Sequence, residues 1–595
     1  MSNNDIRRYS FSSEGLMQVK ESPLGNNWPV VYLIHNDEKL YIGETTSATS
    51  RMSQHLNSTE KKDLEYIEIV FNDTFNKSVI LDYEQRLIRY CSVDDRFSKV
   101  INKNKGQKAE HNYFEREKYR NEFMLLWKSL IEKGIAHKSF EVIENDNIFK
   151  FSPYNSLTVE QNNICIDVLN DILKTFKNQN GTNVSLVNGC AGTGKTVLAI
   201  SIINSLVNAI NFVPSEDEVY LDEDDARKAA ILTEIKEFIQ KERNGKKFKI
   251  GFVFPMRGIR TTISKVFKMC GNGLETSMVI GPSGMLKEDY DILFVDESHR
   301  LSRRKNLTSY KSFDDASNRL GLDKNKTNQL EWALKSAKHV VLFYDQFQSV
   351  KSSDLKREDY ENTLNENANV ISKYELTTQM RCEGGGTYIQ YVQDILNNKE
   401  REFQKIASYD FLLFDNVNDM VQRIRKLDEK YGLCRTVAGY AWNWNTKSKN
   451  KVKDNLEHYD YLVKNDKFDI LIENYKYIWN TSDENWVSRQ DAPYTIGCIH
   501  TTQGFDMNYC GVIFGREIDY DFEKKEITID LGMYFDKKVK AGMSNEELKE
   551  LIINTYMTIL ARGIKGCYVY AYNKNMKKYL EQYIAKANAD TLKEI

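Results

Sequence analysis

Proline is scarce, with seven in 595 residues, and no Pro-, Gly- or Ser-rich linker punctuates the chain. No 20-to-50-residue repeat recurs either, which excludes a solenoid or propeller. The nine cysteines form no C-x-x-C pair, which speaks against a disulfide framework and a zinc site and fits small buried apolar residues in a reducing compartment. No long apolar span occurs, and the N-terminus, Met-Ser-Asn-Asn-Asp-Ile-Arg-Arg, lacks the apolar region of a signal peptide. A soluble, cytoplasmic protein is expected. The net charge is −2, so no global basic field advertises nucleic acid, and any such surface has to be local. No heptad run stands out to mark an oligomer or a protein partner.

What is present begins with size, since a chain of this length is expected to hold roughly three or four compact units. The sequence predicts an N-terminal extension over residues 1–27, a small mixed α/β unit over 28–110 and a helical connector over 111–151. In the connector Tyr113, Phe114, Tyr119, Phe123 and Trp127 recur at near-helical spacing. From residue 152 onward strands and helices alternate, which predicts parallel α/β sheets, most simply two, divided at 152–370 and 371–595. Glu216 to Asp225 is an acidic cluster that reads as a solvated surface insertion.

Gly189-Cys-Ala-Gly192-Thr193-Gly194-Lys195-Thr196 fits G-x-x-x-x-G-K-[ST]. It follows a buried-strand run, Val184 to Val187, and precedes the helix-forming Val-Leu-Ala-Ile-Ser-Ile-Ile. In this pattern glycines let backbone N–H groups turn inward around phosphates, Lys195 reaches the outer phosphates, and the Thr196 hydroxyl is placed for Mg²⁺. ATP and Mg²⁺ are therefore the expected cofactors. About a hundred residues later the apolar run Ile292 to Val295 delivers Asp296-Glu297-Ser-His299 to a strand end. Asp296 is assigned to the metal and Glu297 to general-base work.

The order of later motifs extends a resemblance to superfamily 1 helicases across residues 150–570. Gln161 resembles the adenine-reading glutamine, and Phe252-Val-Phe-Pro-Met-Arg-Gly-Ile-Arg resembles the strand and loop that touch the nucleic-acid backbone. Val341 to Gln348 is similar to the strand ending in D-x-x-Q, whose glutamine senses the γ-phosphate. Leu376-Thr-Thr-Gln-Met-Arg381 resembles the segment that brings in an arginine from the second lobe. Ile499-His-Thr-Thr-Gln503-Gly504-Phe-Asp506 resembles T-x-Q-G-[ED], with one extra residue before the acid, and Tyr556 to Arg562 resembles the last motif, with its arginine finger. Arg435-Thr-Val-Ala-Gly-Tyr-Ala-Trp-Asn-Trp and Arg562-Gly-Ile-Lys-Gly look most like the Schlafen-type group. The resemblance implies two RecA-like lobes, with Gln161, Gln348, Arg381, Gly504, Asp506 and Arg562 reading nucleotide or linking it to nucleic acid.

The N-terminal unit carries a second pattern. Val30-Val-Tyr32-Leu-Ile and Leu40-Tyr41-Ile-Gly43-Glu read as a hairpin, Arg51 and His55 share a face if helical, Glu84 projects from a helical stretch, and Asn102 follows Val100-Ile. This combination resembles the GIY-YIG nuclease family over residues 28–105, with Val-Val-Tyr where the family name implies Gly-Ile-Tyr. The resemblance implies that Glu84 holds one Mg²⁺ or Mn²⁺ and that Tyr32 or Tyr41 assists deprotonation of water. It implies too that Arg51 stabilises the phosphorane, His55 orients water or phosphate, and Asn102 supports the site. Between Lys99 and Arg120 seven Lys/Arg stand against three Glu with Tyr113, Phe114 and Tyr119 interleaved, either a nucleic-acid contact or a solvated helix face. Together the two resemblances imply an ATP-dependent nuclease-helicase acting on nucleic acid, DNA ahead of RNA. By analogy alone it resembles prokaryotic restriction and anti-phage effectors. An ATP-gated sensor with a binding-only N-terminal unit, and an ATP-controlled ribonuclease without unwinding, are the alternatives.

Overall fold

A computed structural model describes residues 4–102, 113–152, 155, 157–178, 181–211, 223–243, 247–270, 273–307, 309–345, 353–380, 382–406, 409–447, 454–481, 486–502, 505–540 and 543–588. Its contacts divide the chain into two compact units, one of Met1–Val159, Ile200–Leu232 and Thr262–Thr276, the other of Glu160–Ala199, Thr233–Thr261 and Ser277–Ile595. Among the described residues no helix is long and apolar enough to cross a membrane.

The first unit contains a five-stranded sheet in the order Asp5–Ser10, Tyr66–Phe71, Val30–His35, Lys39–Thr45, Lys99–Val100. Its pairs are antiparallel except the last. Residues 5–10, expected to be an extension, thus form the edge strand, and Arg8 pairs with the buried Glu68 of its neighbour. The stretch expected to be a connector is also part of this fold. Helix Arg116–Glu132 turns Tyr119, Phe123 and Trp127, four residues apart, onto one face, and they join a core containing Val31, Leu33 and Tyr83.

The second unit holds two six-stranded parallel sheets. The first runs Val370–Leu376, Asn183–Gly189, Ala337–Tyr344, Tyr290–Val295, Ile250–Val253, Val279–Ile280. The second runs Ile496–Gly497, Arg435–Ala438, Met507–Phe514, Gly563–Ala571, Asp410–Leu413, Ala585–Lys586. Their central strands are largely apolar because helices cover both faces of such a sheet. The expected α/β architecture of a small mixed unit and two RecA-like sheets is present. The first sheet extends a few residues past 370, because Val370–Leu376 pairs with the strand Asn183–Gly189. In the acidic cluster Glu216 to Asp222 lie outside the described residues, while Glu223, Asp224 and Asp225 open helix Glu223–Arg243, where carboxylates complement the helix dipole.

Candidate functional site

Strand Asn183–Gly189 ends at the carboxyl edge of its sheet and turns through residues 190–194 into helix Lys195–Asn211. Gly192 and Gly194 adopt φ of 89° and 80°, a region that costs any residue with a Cβ. A Cβ on Gly194 would also come within 2.3 Å of Gln161 Nε2. That nitrogen donates to Thr193 O at 2.9 Å, so Gln161 braces the loop from beneath. Lys195 Nζ donates to Gly189 O at 2.5 Å and Cys190 O at 2.9 Å and lies 3.5 Å from Asp345 Oδ2. The ammonium is folded back onto its own loop.

The Thr196 hydroxyl donates to Asp296 Oδ2 at 2.7 Å, which joins two parts of the chain a hundred residues apart. Burial, then the neighbouring Glu297, pushes the Asp296 carboxyl up to about 6. Burial acts on Glu297 in the same direction but is outweighed by His299, Arg300 and Lys195, which hold it well below the usual range. Two adjacent carboxylates are thereby driven apart in proton affinity. Thr196 and Asp296 supply hard oxygen donors of the kind that suit Mg²⁺.

The segment leading to Arg381 lies against this loop. Gln379 Nε2 donates to Ala191 O at 2.7 Å, and Met380 N to Gly192 O at 2.8 Å. Glu160 accepts from Thr377 and Thr378. Beside the loop opens a cleft of about 580 Å³ whose lining includes Cys190, Thr193, Asp345, Gln379 and Gln390. Arg381, Gln348, Gln503 and Gly504 fall outside the described residues. Arg562 is buried, and its carbonyl accepts from Met507 N at 3.0 Å, so it adjoins the segment that begins with the half-buried Asp506.

In the small mixed unit, hairpin strands, helix Ala48–Leu56 and helix Lys77–Cys91 bring Tyr32, Tyr41, Arg51 and Glu84 together. The Arg51 charge acts on both phenols, as does Glu84 in the opposite sense. Burial is the larger effect and pushes Tyr32 well above, and Tyr41 above, the ordinary tyrosine value. Gly43 is needed here, because a Cβ would lie 2.3 Å from the Tyr32 hydroxyl. Asn102 clips the hairpin, accepting from Ile42 N at 3.0 Å and donating to Ile42 O at 2.7 Å.

His55 is enclosed by protein groups. It is buried, with Nε2 2.7 Å from Tyr32 Oη and Nδ1 2.7 Å from Lys61 Nζ. Both nitrogens are engaged within the protein, and burial, followed by Lys61 and Arg51, pushes the ring down to about 3. Sequence reasoning missed Lys61, which also stands 3.4 Å above the Tyr41 ring. It has no motif, and only the turn Thr59–Lys61 brings it back under His55. The stretch before Arg120 reads from sequence as either a nucleic-acid contact or a solvated helix face. The Tyr113 hydroxyl donates to Asp82 at 2.7 Å and that of Tyr119 to Thr74 O at 2.8 Å. Both rings serve the fold, and only Phe114, 83% exposed, faces outward; residues 103–112 lie outside the described set.

A glycine loop with a paired threonine and aspartate, set on one of two RecA-like parallel sheets, defines a P-loop nucleotide-binding protein. Residues 182–573 match the family described as Schlafen group 3, DNA/RNA helicase domain, and the chain belongs to that family. An uncharacterized protein of Saccharomyces cerevisiae is 25% identical over 432 residues, covering 66% of this chain and 83% of that protein. Among solved structures, the arterivirus nonstructural protein 10 helicase is 11% identical with a TM-score of 0.28, covering 69% of this chain and 64% of its own. This chain thus spans less than two thirds of that helicase. Pif1 helicase from Candida albicans is 12% identical, TM-score 0.24, covering 74% and 98%. Pif1 from Bacteroides in complex with ADP-AlF3 and ssDNA is 13% identical, TM-score 0.23, covering 68% and 93%.

Proposed function

We propose that the chain is an ATP-dependent nuclease-helicase. The helicase domain, residues 152–595 with its two lobes divided near 376, hydrolyses ATP and moves along nucleic acid. The small unit cuts phosphodiester bonds, DNA ahead of RNA. The observation that carries the motor is the 2.7 Å contact between Thr196 and Asp296 beside Lys195. Thr196 and Asp296 would hold Mg²⁺, which supplies charge neutralisation on the transferring phosphoryl group. Lys195, Arg381 and Arg562 stabilise phosphate charge. Glu297 takes the proton of the attacking water, Gln161 reads adenine, Gln348 senses the γ-phosphate, and the segment of Gly504 and Asp506 ties nucleotide to nucleic acid. ATP hydrolysis stimulated by single-stranded nucleic acid tests this. Lys195→Ala is expected to lower the rate at least about a hundredfold, and an unstimulated wild type, or an active Lys195→Ala, would contradict it.

The nuclease reading rests on Tyr32, Tyr41, Arg51 and Glu84, distant in sequence, facing one another. Among the described residues no group of three or more His, Cys, Asp or Glu side chains gathers to hold a metal. Glu84 alone fits a divalent ion completed by water and substrate oxygens. The raised phenols of buried Tyr32 and half-buried Tyr41 and the enclosed His55 favour one second reading, a binding-only unit gated by ATP. An anti-phage role remains an extension by analogy.

A further inference from the structure

The carboxylate of Glu297 is held by one oxygen. Arg300 Nε donates to Oε2 at 3.0 Å, and His299 Nε2 lies 2.9 Å from the same atom. His299 is itself oriented from behind, because Asp345 N–H donates to its Nδ1 at 3.2 Å. Despite its 2.9 Å approach to Oε2, His299 Nε2 makes no hydrogen bond among the described residues, so it is Arg300 Nε that donates to Oε2. Asp345 follows the strand Ala337–Tyr344, where the chain enters the segment containing Gln348. Glu297 also sits at φ 52°, a left-handed conformation that costs a non-glycine residue and persists only where its surroundings enforce it.

Arg300 is an odd choice for stability. Its side chain is buried, and Nη1 and Nη2 have no hydrogen-bond partner among the described residues. A buried guanidinium with both outer nitrogens unsatisfied destabilises the fold relative to an apolar side chain of similar length. What the side chain does accomplish is the contact of Nε with Oε2.

We propose that Arg300 is a positioning residue for hydrolysis: its Nε occupies Oε2 of Glu297 and leaves Oε1 as the oxygen that receives the proton of the attacking water. This inference rests on the reading of this region as an ATPase. In the step it serves, the water oxygen bonds to the γ-phosphorus while the bond to the β–γ bridging oxygen breaks. The water's proton passes to Oε1, and the electron pair leaves with the diphosphate.

The test compares wild type, Arg300→Met, Arg300→Gln and Arg300→Lys in the full chain, measuring steady-state ATPase constants, affinity for a fluorescent ATP analogue with Mg²⁺, and Tm. Arg300→Met and Arg300→Gln are expected to lower kcat by about tenfold or more, with nucleotide affinity within about twofold and Tm unchanged or raised. Arg300→Lys, which keeps one charged donor, should recover part of the loss. In a Glu297→Gln background, Arg300→Met should cost nothing further. Equal activity in wild type and both neutral variants overturns the inference alone. So does a kcat loss that comes with lost affinity and lowered Tm, or one that adds to the loss in Glu297→Gln. A wild type without ATPase activity overturns the motor reading and this inference with it.

Discussion

Gly194 shows how little freedom the phosphate loop has. Its φ of 80° and the Gln161 amide 2.3 Å from its absent Cβ leave no room for alanine, so Gly194→Ala strains the backbone and dislodges Gln161 together. Nucleotide affinity is expected to fall about tenfold or more, with a stability loss on the order of 1–3 kcal/mol. Isothermal titration with ATP and a thermal melt read both, and wild-type values for the variant would contradict the geometry. A second residue sets a pH dependence. His339 is buried between Thr175 Oγ1 at 2.7 Å and Ser185 Oγ at 3.1 Å, and burial pushes it down to about 4. The unfolded ring takes its proton near 6.5, so the unfolded chain binds more protons between about 4 and 6.5. Stability from this group is complete above that window and falls as pH drops through it. Denaturation at pH 5.0 against 7.5 should show a loss of about 2 kcal/mol from His339. His339→Gln should flatten that part of the slope, and an unchanged slope would contradict the assignment. At this scale the phosphate loop was legible because its chemistry needs fixed residue types at fixed local spacing. Lys61 and the Arg300 clamp were not, because their partners are chosen by tertiary contacts that leave no local pattern.

Among the elements, the legible ones were those whose apolar pattern is strong. The strand runs before Gly189 and Asp296 and the alternation after residue 152 all became parallel sheet. Strand Asp5–Ser10 escaped notice because an edge strand with one buried residue, Ile6, carries no apolar alternation. Helix Arg116–Glu132 was legible as a helix but not as core, since its period says which face is apolar and not what covers it. Trp127 is buried there, donating from Nε1 to Lys138 O at 3.0 Å. Trp127→Ala is expected to destabilise the small unit by about 3–5 kcal/mol while leaving ATPase activity at the wild-type level. Chemical denaturation followed alongside an ATPase assay checks it. A stable variant would return this helix to the role of a connector.

For the whole molecule, the proposed joining of a motor to a cutter would present each substrate strand held by one to the other at high local concentration. Coupling predicts that Lys195→Ala changes cleavage in a way that depends on substrate length, because an uncoupled cutter ignores the motor. The central claim is that the small unit cuts. Its most direct test is cleavage of labelled single- and double-stranded DNA and RNA with Mg²⁺ or Mn²⁺, with and without ATP, by wild type beside Glu84→Ala. Cleavage by wild type that ATP modulates and Glu84→Ala abolishes is the result this account predicts. No cleavage of any substrate while ATPase activity is intact, or equal cleavage by both proteins, would contradict it.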